Sequence, residues 1–235
     1  MLNRPSCMRP FVALAALFAL AGSAQASTTF FTSQDDFLSY LGRPVTDDFS
    51  DMAGSIGQPL STPLPRAAGS FGYGIFSYYF FPGSEGGDAV AATGTLDNPT
   101  ISTDYNWSTL VLDRFTGGAN AIGFNTWGEK GDGTFAAGQT MEVEILDSTG
   151  ADQIFHFTPT DAGDGSFVGM ISTGTIKIVN MTVVVNPDLN DQPFATMDNV
   201  TLGQAAAVVP EPADYALMLG GLGVLGVVMR RRRKV

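Results

Sequence analysis

The sequence predicts an all-β protein: an antiparallel β-sandwich with one short helix near its start and a separate transmembrane helix at its end. Three observations lead there. Between residues 27 and 203, short runs of apolar and polar residues are cut by Gly, Pro, Asn and Asp, with no alternation of strand and helix patterns. One segment ahead of most of those runs carries helical start and stop signals. The last apolar stretch, Ala213–Met229, runs straight into five cations.

Met1–Ala26 reads as a secretory signal peptide, and so as a substrate of the Sec translocon. Arg4 and Arg9 give the positive start, Phe11–Ala21 the apolar core, and Ala24-Gln25-Ala26 the small-x-small cleavage site. The apolar run is too short to span a bilayer. Cys7 is the sole cysteine and lies before that core, so cleavage would leave a chain without thiols, disulfides or thiolate metal ligands.

The body, 27–203, begins with an extended piece at Phe30-Phe31. Ser33 can cap a helix whose first turn holds Asp35 and Asp36, whose apolar face is Phe37, Leu38 and Leu41, and which Gly42-Arg43-Pro44 stops. Strand patterns follow at Phe71–Phe81, Trp107–Leu112, Ala121–Trp127 and Met141–Ile145, where Glu142 and Glu144 oppose Met141, Val143 and Ile145. Gln153–Thr158 sets Phe155 and Phe157 against His156. Thr175–Val185 changes phase after Ile178, which predicts a bulge near Asn180, and Thr196–Leu202 closes the domain. Residues 204–209 form a linker and 210–235 the tail.

With the charges of the two ends removed, the body keeps 5 Lys and Arg against 21 Asp and Glu, a net −16. Such a surface repels phosphate backbones, so nucleic acid is not an expected partner. It suits calcium, which takes carboxylate and carbonyl oxygens. Asp47, Asp48 and Asp51 stand within five positions, and Asp198 could join them from the last strand; a solvated acidic turn explains the same cluster. The glycine-rich loops Glu129–Gly133 and Asp161–Gly165 lack calcium-loop spacing and read as tight turns. His156 is the only histidine, and no Gly-x-Ser-x-Gly elbow accompanies it, so a serine triad and a zinc site are not expected. Trp107, Trp127, Tyr73, Tyr78, Tyr79 and Tyr105 could stack on sugars or serve the core.

The tail has three parts. Pro210-Glu211-Pro212 is a stiff, extended segment. Ala213–Met229 holds one charge, Asp214, and at ~1.5 Å per residue makes about 25 Å of helix, near the short limit for a span. Arg230, Arg231, Arg232, Arg233 and Lys234 then stay on the cytoplasmic side as a membrane stop. These parts, in this order, resemble the PEP-CTERM sorting signal of Gram-negative bacteria that make exopolysaccharide. The resemblance covers about the last thirty residues. It implies processing by an exosortase, a membrane protease of transpeptidase type, with Pro210, Glu211 and Pro212 as substrate residues. Phe30–Leu41 with Asp48-Phe49, Phe167–Gly169 and Met197–Gly203 are similar to the lectin-like or jelly-roll body often found ahead of this tail, which implies a jelly-roll-like sandwich with the last strand beside the first.

Together these readings give an exported, membrane-anchored intermediate bound for the cell surface or extracellular matrix. The expected role is structural or adhesive, without catalysis, with exopolysaccharide as a candidate partner. A secreted polysaccharide hydrolase using a pair of acidic residues is the alternative.

Overall fold

The computed structural model describes residues 28–70, 74–82, 90–104, 108–184 and 193–205. The signal-peptide segment, the tail from Pro210 onward, and Tyr73, Tyr105 and Trp107 lie outside them. The chain divides after Gln204 into two units, and the sandwich lies in the first. Among the described residues, no helix is long and apolar enough to cross a membrane.

The elements follow in order. Strand β1 (Thr28–Phe31) leads to helix α1 (Gln34–Ser39), then β2 (Val45–Asp47), a 3-10 turn at Ser50–Ser55, β3 (Pro59–Leu60), β4 (Leu64–Ser70) and β5 (Gly74–Pro82). Next come β6 (Val90–Gly94), β7 (Pro99–Thr103), β8 (Leu110–Asp113), β9 (Ala121–Glu129), β10 (Thr140–Asp147) and β11 (Asp152–Phe157). A second 3-10 turn at Asp164–Ser166 precedes β12 (Phe167–Ser172), β13 (Ile176–Val184) and β14 (Phe194–Gly203).

Two antiparallel sheets form. The larger runs β1-β12-β9-β14-β7-β6-β3, with β2 beside the second half of β14; the smaller runs β11-β10-β13-β8-β5-β4. The last strand therefore lies between β9 and β7, while β1 pairs with β12. This corrects the expectation that the last strand would lie beside the first: the early strand it meets is β2.

The core between the sheets follows strand alternation. Ile122, Phe124, Met197 and Val200 come from the larger sheet, and Phe76, Phe80, Leu110, Leu112, Met141, Val143, Ile145 and Met181 from the smaller. Glu142 and Glu144 point the other way, as the pattern of β10 requires. The phase change in β13 falls at Lys177 rather than near Asn180. Leu146 pairs with Ile178 and Asp147 with Ile176, so Lys177 is the extra residue. At one edge the sheets are joined by rings: Phe30 of β1 stacks on Phe155 of β11, with centroids 4.7 Å apart.

Helix α1 forms as expected at its start, where the Ser33 side chain accepts a hydrogen bond from the Asp36 backbone N–H. It ends earlier than expected, at Ser39. Its buried residue, Phe37, lies on the outer face of the larger sheet over Gly123 of β9 and Gly169 of β12, which are paired in register. A Cβ on Gly123 would lie 2.7 Å from Phe37 Cε1, and one on Gly169 would lie 2.6 Å from Phe37 Cδ2. The helix packs closely because both positions lack side chains.

Candidate functional site

The acidic cluster closes around an arginine. Asp47, at the end of β2, faces Arg66 of β4 and Tyr78 of β5, so one larger-sheet carboxylate meets side chains of two smaller-sheet strands. Arg66 Nε and Nη2 donate to Asp47 at 2.9 and 2.5 Å, and its Nη1 and Nη2 donate to Asp51 at 2.9 and 2.8 Å. The Tyr78 hydroxyl donates to Asp47 Oδ2 at 2.8 Å, and the guanidinium carbon lies 5.1 Å from the Phe49 ring centroid. Phe49 holds a left-handed backbone (φ 55°), which turns the chain between the two aspartates. Hydrogen bonding to Arg66 lowers the Asp51 carboxyl below its ordinary range. Burial, reinforced by the charge of Asp47, pushes the Tyr78 phenol well up.

The four expected calcium ligands do not converge. Asp47 and Asp51 are engaged by Arg66. Asp48 is exposed and caps the following turn, where the Ser50 N–H bond lowers its carboxyl. Asp198 does arrive near Asp48, whose charge adds to the burial that raises the Asp198 carboxyl. Its oxygens accept instead from Asn98 Nδ2 at 3.1 Å and from the Asn199 N–H and Nδ2 at 2.7 and 2.9 Å. Among the described residues, no three His, Cys, Asp or Glu side chains gather as a metal site. The sequence reading missed Arg66. The signal for it was the scarcity of cations: a body with five of them is apt to place one against its densest acidic cluster.

The remaining sequence candidates are local. Asp161 Oδ1 accepts from the N–H groups of Gly163 and Gly165, and Asp132 Oδ1 from Thr134, so both glycine-rich loops are aspartate-stabilised turns. His156 is half-exposed and pairs with Glu142 across β10 and β11 at 2.7 Å. Tyr78 and Trp127 are buried. Tyr79 is half-buried on the outer face of the smaller sheet, where Arg114 lies over it and Phe81 at 5.5 and 4.9 Å.

A cleft of about 290 Å³ opens on the larger sheet beside the end of β9. Gln58, Thr93, Ser102 and Asp104 line it, together with Glu129 and Phe194. Alternation along β9 sends Phe124 and Thr126 inward, so Trp127 and Glu129 face outward. Glu129 is 7 % exposed. Burial raises its carboxyl, the neighbouring Thr196 and Thr93 hydroxyls work against that, and the nearby Asp132 charge raises it further. Those hydroxyls are themselves anchored: Thr93 bonds Thr100 at 2.7 Å, and Thr196 bonds Ser102 at 3.0 Å. Glu129 and Phe194 sit directly opposite each other across β9 and β14, so carboxyl and ring share one face.

The C-terminal segment adds what the sandwich does not state. A family model described as the PEP-CTERM protein-sorting motif matches residues 208–233. Residues 208–233 are a PEP-CTERM sorting motif. The motif contains Pro210, Glu211, Pro212 and the arginine run, and it marks the chain as exported, with a membrane-anchored intermediate and exosortase processing. No curated protein matches the chain significantly. Among solved structures, the chain is similar to a mutant of the family 29 carbohydrate-binding module CBM29-2, at 10% identity and TM-score 0.31 over 58% of this chain and 99% of that one. It is also similar to the CBM22-1 xylan-binding domain of Paenibacillus barcinonensis Xyn10C, at 15% identity and TM-score 0.26 over 62% and 90%. The tandem CBM22-1-CBM22-2 domain of that protein aligns at 15% identity and TM-score 0.29 over 68% and 49%. At such TM-scores these likenesses carry no argument about ligand.

Proposed function

We propose that this protein is a structural or adhesive component of the cell surface or exopolysaccharide matrix, and that its sandwich binds glycan without cleaving it. The observation that carries the reading is the sorting motif at 208–233. In this account residues 1–26 direct the chain to the Sec translocon, Ala213–Met229 holds it in the inner membrane, and processing at the Pro-Glu-Pro segment hands the body on.

The two carboxyls of the larger sheet that burial raises do not form a hydrolytic pair. Glycoside cleavage needs two carboxyl groups roughly 5–9.5 Å apart, one of them held protonated. Glu129 and Asp198 are both raised by burial and share the outer face of the larger sheet. Asp198 pairs with Asn125, four residues along β9 from Glu129, which at ~3.4 Å per residue separates them by about 14 Å. The test is to sediment the full-length protein, kept in detergent, with exopolysaccharide from the producing cells and to assay new reducing ends. Co-sedimentation without new reducing ends is expected. Release of reducing ends would favour the hydrolase, and failure to co-sediment would remove glycan binding.

A further inference from the structure

The geometry points to the cleft at Glu129 as the binding site for a neutral saccharide unit, with the sugar's C–H face against Phe194 and its hydroxyls donating to Glu129. This inference rests on the reading that the body binds glycan, and it says where and of what charge.

Five features of the cleft argue for it. The ring and the carboxyl are cross-strand partners on one sheet face, with Cβ atoms about 5 Å apart in such pairs, so one small ligand can touch both. Phe194 is half-buried, its ring edge reaching toward Gly131, so it keeps exposed surface. A carboxylate offers about four acceptor positions, and since Thr196 gives its one hydroxyl proton to Ser102, the Thr93 hydroxyl can fill one of them and the rest stay open. The bonds from Thr93 to Thr100 and from Thr196 to Ser102 fix those hydroxyls before any ligand arrives, which lowers the ordering cost of binding. A volume of about 290 Å³ stands at the small end of ligand sites, which span roughly 300–1,000 Å³.

Charge decides between ligand classes. Lys130 also lines the cleft, but it is outnumbered: Asp104 and Glu129 share the lining and Asp132 acts on Glu129 through its field, inside a body of net −16. An acidic sugar would enter against this negative balance, whereas a neutral sugar brings hydroxyl donors and no charge. The acceptor is also difficult to replace: a ligand lacking a matching donor would leave the buried Glu129 poorly satisfied.

The test is calorimetric titration of the full chain in detergent with cellohexaose, mannohexaose and oligogalacturonate. At least one neutral oligosaccharide is expected to bind, and oligogalacturonate to bind more weakly or not at all. Glu129→Gln keeps the side-chain shape and Phe194→Ala removes the ring; each is expected to weaken neutral binding by about tenfold or more. Tyr79→Ala, on the opposite sheet, is expected to leave binding unchanged. Melting curves establish that each variant is folded, and Glu129→Gln serves if Phe194→Ala does not fold. Neutral binding that survives both cleft variants overturns the cleft and leaves glycan binding standing. Preference for oligogalacturonate overturns the neutral assignment. Absence of all binding by the unmodified protein overturns this inference and the glycan reading together.

Discussion

Arg66 is 8 % exposed, and its cost of burial is offset by two carboxylates, a ring face and the neighbouring Tyr78 hydroxyl on Asp47. Replacing it by Met leaves Asp47 charged and without its partner in the interior. Arg66→Met is therefore expected to cost about 3–5 kcal/mol in urea unfolding, and adding Asp47→Asn to recover part of the loss. A loss below about 1 kcal/mol would show that the clamp does not hold the sheets. Glu129 works in the opposite sense. Its folded-state pKa is raised by burial, so the stability it contributes is fully present below the unfolded value, about 4.3, and is lost as pH rises through the folded value. The midpoint difference between Glu129→Gln and the unmodified protein should grow in the variant's favour as pH rises above the unfolded value of about 4.3. A constant difference in calorimetry would contradict this. Neither residue was legible as a partner in the sequence. Asp47 and Arg66 are 19 positions apart, and Glu129 lay inside a loop pattern read as a turn.

Elements were legible where one face is buried and the other wet. β10 shows this in its strict alternation, and α1 in its Ser33 cap and Phe37 face. β7, β9 and β12 are buried at every position, and of these β9 is legible because Ile122 and Phe124 still alternate with the smaller Gly123 and Asn125. The glycine pair beneath α1 was hidden all the same. Gly123 reads as a small residue opposite Ile122 and Phe124, and only the pairing of β9 with β12 shows that it and Gly169 form one seat. Gly123→Ala is expected to cost about 1–3 kcal/mol by overpacking against Phe37 and Phe167. In a Phe37→Ala background that added cost should shrink, which a double-mutant cycle of unfolding free energies measures. Full additivity of the two substitutions would mean that the helix does not rest on the glycine seat.

At the scale of the molecule, sorting was easier to read than binding. The tail carries its meaning in residue order alone: prolines that stay extended, an apolar run, then cations that hydrocarbon excludes. The cleft depends on two residues 65 positions apart that meet only through the register of β9 and β14. Fold class lies between these cases: spacing and turn signals gave the sandwich, while strand order awaited the pairing of β14 with β9, β7 and β2. The central claim is that the C-terminal motif governs where this sandwich ends up. The measurement that tests it most directly is to follow the protein by size and location in producing cells with and without the exosortase. With the enzyme, a shortened form is expected at the surface or in the matrix; without it, the full tail is expected to remain in the inner membrane. The same size and location in both would contradict the account.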